Sequence, residues 1–236
     1  MYNIATNTSI MNEWARRYPN LPLIFDGVAS PYRYWDEPIK VAICLKECVM
    51  YESGNPLLGT AKVFKGDGRF KDSRDSYYQT QYLKETGGAN TPSLINECKI
   101  AQLLMEGSIT YTFEQPEHRR MIFRRIAHME LSKIGGTATE SEWYPKIIED
   151  NKDLIGKQLS NFDANYYVVC GKSSWDTIKS VINLEKYKHI EVDVPNKGGK
   201  MEFWHNGSKT LILMSHTSDI YRFKKQLEVI KLWLKS

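Results

Sequence analysis

The side chains best suited to chemistry stand where four apolar stretches end. Lys40-Val-Ala-Ile-Cys-Leu45 runs into Lys46-Glu47, and a carboxylate there can serve as a general base or stabilise a cation. The neighbouring Lys46 would favour its charged form, although the two also read as an ordinary solvated pair. Thr210-Leu-Ile-Leu-Met214 runs into Ser215-His216. That imidazole can steady a developing anion or shuttle a proton, and a helix capped by Ser218 would aim its positive end at the same spot. Tyr221 and Arg222 in its first turn reach a base or phosphate on one reading and only cover the surface on the other. Ile126-Ala-His-Met129 leads into Glu130, Ser132 and Lys133, ahead of Gly135-Gly136. A glycine pair lets backbone approach a ligand and offers N–H groups to an anion, and it is equally a plain turn signal. Tyr166-Tyr-Val-Val-Cys170 ends in Gly171-Lys172-Ser173-Ser174, where either serine can cap a helix.

Side chains this far apart in the chain meet only if the elements bring them together. Three of the stretches lie between helix-like segments and the fourth precedes one, the pattern of a parallel α/β sheet joined by helical crossovers. Parallel strands share a direction, so their carboxyl ends line one edge, where ligands bind. The expected fold is a three-layer α/β sandwich around a short, mostly parallel central sheet. The 236 residues, 42% hydrophobic and 12% aromatic, suffice for the core of a single domain over 1–236. Residues 1–39, punctuated by Pro19, Pro22 and Pro31, read as an N-terminal cap on the sheet. Residues 54–91 are charged and glycine-rich and read as a polar, mobile insertion overhanging the site.

Helical faces follow from spacing. Pro92 opens a helix with Leu94, Cys98, Ala101 and Met105 on one side, and Ser141 or Glu142 opens another carrying Ile147, Ile148, Leu154, Ile155, Leu159 and Phe162. Asn206-Gly207 predicts a hairpin before the last core strand.

Other classes are argued against. No run approaches the about 18 apolar residues that span a bilayer, and Met1-Tyr-Asn-Ile-Ala-Thr-Asn lacks a signal peptide's basic start and apolar core. The expectation is a cytoplasmic protein with reduced thiols at Cys44, Cys48, Cys98 and Cys170 and no membrane partner. Cys44 and Cys48 lack the spacing of a metal pair, so no metal site is expected. No Walker loop, Gly-x-Gly-x-x-Gly or Gly-x-Ser-x-Gly occurs. The net charge of +4 assigns no partner alone, but Arg119, Arg120, Arg124, Arg125, Lys133 and the C-terminal lysines suggest a basic face over the strand ends.

Taken together, the four strand ends resemble the uracil-DNA glycosylase superfamily, in particular a divergent bacterial branch of it. Leu45-Lys46-Glu47 is similar to that family's first motif, and Arg125-Ile-Ala-His-Met-Glu-Leu-Ser-Lys-Ile-Gly-Gly136 to its Arg-Ile-Ala-x-x-Asn-Leu-x-Lys-x-x-Gly. Cys170-Gly171 matches its Cys-Gly, and His216-Thr217-Ser218 stands in for His-Pro-Ser. The ordered set runs from about residue 38 to residue 225.

The resemblance implies a uracil-DNA glycosylase-like fold in which Glu47 acts near the sugar–base bond, His216 faces the departing base or a phosphate, and the following turn wedges into the stack. Two departures carry consequences. Thr217 at the proline position is expected to loosen the turn, and Glu130 replaces the Asn that reads the base. A carboxylate only accepts, so it disfavours uracil O4 and favours an amino group. The expected function is hydrolysis, without metal or organic cofactor, of an N-glycosidic bond to a base other than plain uracil, in nucleic acid, DNA foremost, or in a nucleotide. Glu47 and His216 would be catalytic; Lys46, Glu130, Ser132, Lys133, Gly171, Ser218, Tyr221 and Arg222 would bind substrate. The alternative is a nucleic-acid- or nucleotide-binding protein without catalysis.

Overall fold

The structure, a computed structural model, describes residues 2–21, 23–24, 26–46, 49–53, 57, 62–63, 92–137, 142–196 and 198–235. Four short runs form the middle of a seven-stranded sheet: the apolar β2 (Val41–Leu45), β7 (Tyr166–Cys170) and β10 (Thr210–Met214), and β5 (Ala127–Glu130), which alternates apolar with titratable residues. They pair in parallel as β5-β2-β7-β10, with Leu45 opposite Glu130, Cys44 opposite Val169 and Cys170 opposite Met214. β2 and β7 are buried almost throughout, as continuous apolar runs between two helical layers should be.

The sheet is mixed rather than mostly parallel from edge to edge. β1 (Gly27–Val28) joins β5 antiparallel, and β9 (Gly199–His205) and β8 (Lys188–Val194) extend the other side antiparallel. Asn206-Gly207 closes the β9–β10 hairpin, with Gly207 at φ 93° and the Asn206 side chain accepting from Ser208 and Lys209 N–H. β1 also means that residues 1–39 do more than cap: part of that segment becomes an edge strand. A small separate sheet joins β3 (Val49–Ser53) to β4 (Lys62–Val63) and, in parallel, to β6 (Gly136–Thr137). The glycine pair read as a turn therefore leads into a short strand. The remaining insertion, 54–56, 58–61 and 64–91, lies outside the described residues.

Alternation along the strands sends side chains to two cores. Ala42, Cys44, Met129, Tyr167 and Val169 meet α1 (Ile4–Arg17), α5 (Tyr144–Phe162) and α6 (Lys172–Val181). Val41, Ile43, Val168, Ile212 and Met214 meet α3 (Pro92–Glu106), α4 (Pro116–Phe123) and α7 (Ile220–Trp233). A short α2 (Pro31–Asp36) completes the described helices, and buried Tyr34 donates to Phe162 O at 2.9 Å. Fully burying a side chain such as Ile43 or Ile155 contributes about 1.5–3 kcal/mol, so the two faces supply most of the driving force. Among the described residues no helix is long and apolar enough to cross a membrane.

Candidate functional site

The parallel strands appear in chain order second, first, third, fourth across the sheet. From β2 the chain moves to β5 on one side and then to β7 on the other, so connections diverge from the gap between β2 and β7. In doubly wound folds that divergence opens a crevice at the carboxyl ends of the two strands. A cleft of about 610 Å³ lies there. Lys46, which follows β2, forms part of its wall, with Tyr144, Pro145 and Ile148 of α5 and Ser173, Asp176 and Thr177 of α6.

The helical residues share the cleft because of their spacing. On α6, positions 173, 176, 177 and 180 fall on one face, and on α5 positions 144, 145, 148, 149 and 152 do. Both helices begin at the carboxyl edge, α6 because it follows β7 and α5 because its far end returns the chain to the start of β7. Two helix N-termini therefore flank the mouth. Lys46 Nζ sits 4.7 Å from the centre of the Tyr144 ring, a cation–π contact that holds the ammonium at the wall. Tyr144 OH and Thr177 Oγ1 lie 3.1 Å apart and Thr177 Oγ1 also donates to Ser173 O at 3.0 Å, tying α5 to α6 across the floor. Glu149 pairs with Lys152 at 2.5 Å, while Asp176 makes no ion pair among the described residues.

Gly171 connects β7 to this wall at φ 91°, ψ 157°, a conformation essentially reserved for glycine, and it is the residue at the N-cap of α6. Ser173 and Ser174, read as caps, do not take that position; Ser174 Oγ donates back to Cys170 O at 2.9 Å. A Cβ at position 171 would meet nothing within 4 Å, so any penalty is backbone strain alone. Gly171→Ala is expected to lower stability by about 1–3 kcal/mol, measured by urea unfolding; an unchanged midpoint would mean the turn relaxes freely.

Glu47, the leading catalytic candidate, lies outside the described residues, as does Cys48. Its neighbour Lys46 is half-buried and its carbonyl accepts from Ser132 N at 3.0 Å, so the chains leaving β2 and β5 stay paired beyond the strands. Glu130, the last residue of β5, is 2% exposed. Ser132 and Lys133 are built into the interior. Ser132 Oγ donates to Ile134 O at 2.7 Å, and Lys133 Nζ, fully buried, lies 2.6 Å from Asp26 Oδ2 and also donates to Glu130 O. An ammonium enclosed in this way braces the end of β5 instead of reaching a phosphate.

His216, Ser218, Tyr221 and Arg222 gather at the β10–α7 turn, on the same sheet edge but outside the walls of the cleft. His216 Nδ1 lies 2.8 Å from Ser218 Oγ on the surface. Asp219, not Ser218, caps α7, accepting from Arg222 N at 3.1 Å. Tyr221 is 62% exposed and lies under Lys225, whose ammonium is 3.8 Å from the ring centre. Thr217 overturns the expectation of a loosened turn. It is fully buried, its hydroxyl lies 2.5 Å from Ser93 Oγ and donates to Glu97 at 3.2 Å, and its carbonyl accepts from Asn96 at 2.8 Å. A proline could place only the carbonyl in that net; the threonine fastens the turn to α3.

The arginine cluster assigned to a basic face over the strand ends requires correction. Arg119–Arg125 precede β5 and so lie at its amino end, the opposite edge from the cleft. Arg119 is buried and donates to Phe113 O and Glu114 O, and Arg125 is held by Glu37 at 2.6 Å and Glu106 at 2.5 Å. The described cysteines are buried and unbridged, and burial pushes the Cys44 thiol up to about 12. Among the described residues no three His, Cys, Asp or Glu side chains are placed to hold a metal ion. Sequence reading missed Tyr144 and Asp176; the signal was present only as the shared helical spacing of 144 with 148 and of 173 with 176 and 180. No family model, curated protein or solved structure matches this chain.

Proposed function

We propose that the protein hydrolyses an N-glycosidic bond to a nucleic-acid or nucleotide base other than plain uracil, on a uracil-DNA glycosylase-like arrangement. The observation that supports this reading most is the cleft at the β2/β7 crossing point, because Lys46 in its wall is the residue directly before Glu47. In this reading Glu47 activates water or stabilises an oxocarbenium-like sugar, and Lys46 favours its ionised form. Glu130 accepts from an exocyclic amino group of the base, and Gly171 lets backbone approach the ligand. His216 stabilises the departing base or a phosphate, with Ser218, Tyr221 and Arg222 contacting the rest of the substrate. DNA, another nucleic acid or a nucleotide supplies the bond, and neither metal nor cofactor takes part. A cytoplasmic setting belongs to the same reading and is favoured by the three buried, unbridged thiols.

A second reading, binding without cleavage, is favoured by one observation: exposed His216 does not line the cleft that Lys46 does. The test is base release, followed by chromatography, from nucleosides and short oligonucleotides carrying each common base, with wild type and Glu47→Gln. Release by the wild type and none by the variant is the expected result. Ligand binding by both proteins with release by neither would select the second reading. Release unchanged by Glu47→Gln would remove the carboxylate from the mechanism.

A further inference from the structure

The cleft that carries the proposed function also constrains the size and sugar of its ligand. At about 610 Å³ it falls within the roughly 300–1,000 Å³ typical of small-molecule sites, and it is a groove between two helices rather than a track across the surface. A strand of nucleic acid needs cations along its phosphates. The arginines of residues 119–125 lie at the other edge of the sheet, where Arg119 and Arg125 are already engaged. Glu142, Glu149 and Asp176 line the cleft against Lys46 and Lys152, and Lys152 is paired with Glu149. A polyanion laid into this groove would meet more negative than positive charge. The positive ends of α5 and α6 act only within their first turns, at the mouth.

The interior suits one nucleoside unit. Tyr144, Pro145 and Ile148 give an apolar wall for a flat ring, and facing them on α6 are the Ser173 hydroxyl and the Asp176 carboxylate. A carboxylate can accept from both hydroxyls of a cis-diol at once, the way acidic residues hold the ribose of bound nucleotides. Resting on the nucleoside-directed reading above, we infer that this cleft takes a single ribonucleoside unit free in solution, with Asp176 accepting from its 2′- and 3′-hydroxyls, and not a DNA strand.

The experiment compares cytidine and adenosine with their 2′-deoxy forms and with a 12-residue single-stranded DNA, by calorimetry at about 50 mM salt, where phosphate contacts are strongest. Wild type should bind the ribonucleosides at least about tenfold more tightly than the deoxynucleosides, the size expected for one lost hydrogen bond to a charged group. Asp176→Asn should erase most of that gap while leaving the thermal midpoint unchanged, since the side chain is exposed. Equal binding of the two sugars, tighter binding of the DNA, or no nucleoside binding at all would each overturn the inference. Base release separates this from the hydrolytic proposal. A ribose preference that depends on Asp176 with no base released would retire the hydrolase and keep the ligand, whereas release from oligonucleotides alone would do the reverse.

Discussion

Asp26→Asn is expected to cost about 3–5 kcal/mol of folding stability, the range for breaking a buried ion pair from one side. The Asp26 carboxylate and the Lys133 ammonium are both fully enclosed, 2.6 Å apart. Asp26 also accepts from Glu130 N at 2.5 Å and from Gln158 Nε2 at 2.8 Å, so three donors converge on it. An amide there has only one acceptor atom and turns an NH₂ group toward at least one of those donors, leaving the ammonium without its counter-charge. Lys133→Met should cost less, because the carboxylate keeps two N–H donors and the methionine roughly fills the space. The double variant should be more stable than the sum of the two losses predicts. Urea unfolding of all three proteins gives the comparison. A loss below about 1 kcal/mol for Asp26→Asn, the scale of a surface pair, would show that water reaches the site. Against a typical total of about 5–15 kcal/mol, the expected loss brings the chain close to unfolding. The damage would fall on the end of β5, since Lys133 O accepts from Ile24 N at 2.8 Å and Leu23 bridges Ile134.

The sequence shows Lys133 without the partner that defines its role. Lys133 follows a strand and precedes a glycine pair, which is also where a phosphate-binding lysine would stand. Only the partner distinguishes the two, and Asp26 is 107 residues away in the chain. The four core strands were legible because each is a local apolar run, and their common direction followed from the helices between them. The antiparallel edges were less so: β1 has two residues and β8 is mostly exposed, so neither carries a strong pattern. Gly171 could be found from sequence because it ends an apolar run and completes a Cys-Gly pair, whereas its positive φ could not. The cleft walls could not, because Tyr144 and Asp176 line it from two helices that only the crossing connection of β5 to β7 brings side by side.

The second large effect concerns Glu97, which is expected to make stability fall as pH rises above neutrality. Its buried carboxylate lies 3.2 Å from buried His128 Nε2 and accepts from half-buried Ser93 at 2.9 Å and buried Thr217 at 3.2 Å. Burial alone pushes the His128 imidazole down, but the hydrogen bond and charge of Glu97, with the charges of Glu130 and Asp26, outweigh it, and the net shift is upward. A histidine whose folded value is raised stabilises the fold fully below its unfolded value of about 6.5 and loses that contribution as pH rises through the folded value. Wild type should therefore be more stable at pH 6 than at pH 9 by a component that Glu97→Gln removes. That variant should be less stable by about 1–3 kcal/mol at pH 6, the cost of leaving buried polar groups imperfectly paired, and the difference should narrow toward pH 9. Thermal midpoints of wild type, Glu97→Gln and His128→Gln across that range decide it. A constant gap between wild type and Glu97→Gln would mean that His128 stays neutral in the fold. The same carboxylate holds the hydroxyl of Thr217, so Glu97 shares with Ser93 and Asn96 the fastening of the His216 turn to α3. Losing Glu97 should thus loosen that turn as well as the core. Proteolysis within residues 215–219 of Glu97→Gln but not of His128→Gln would separate the anchoring role from the charge pair.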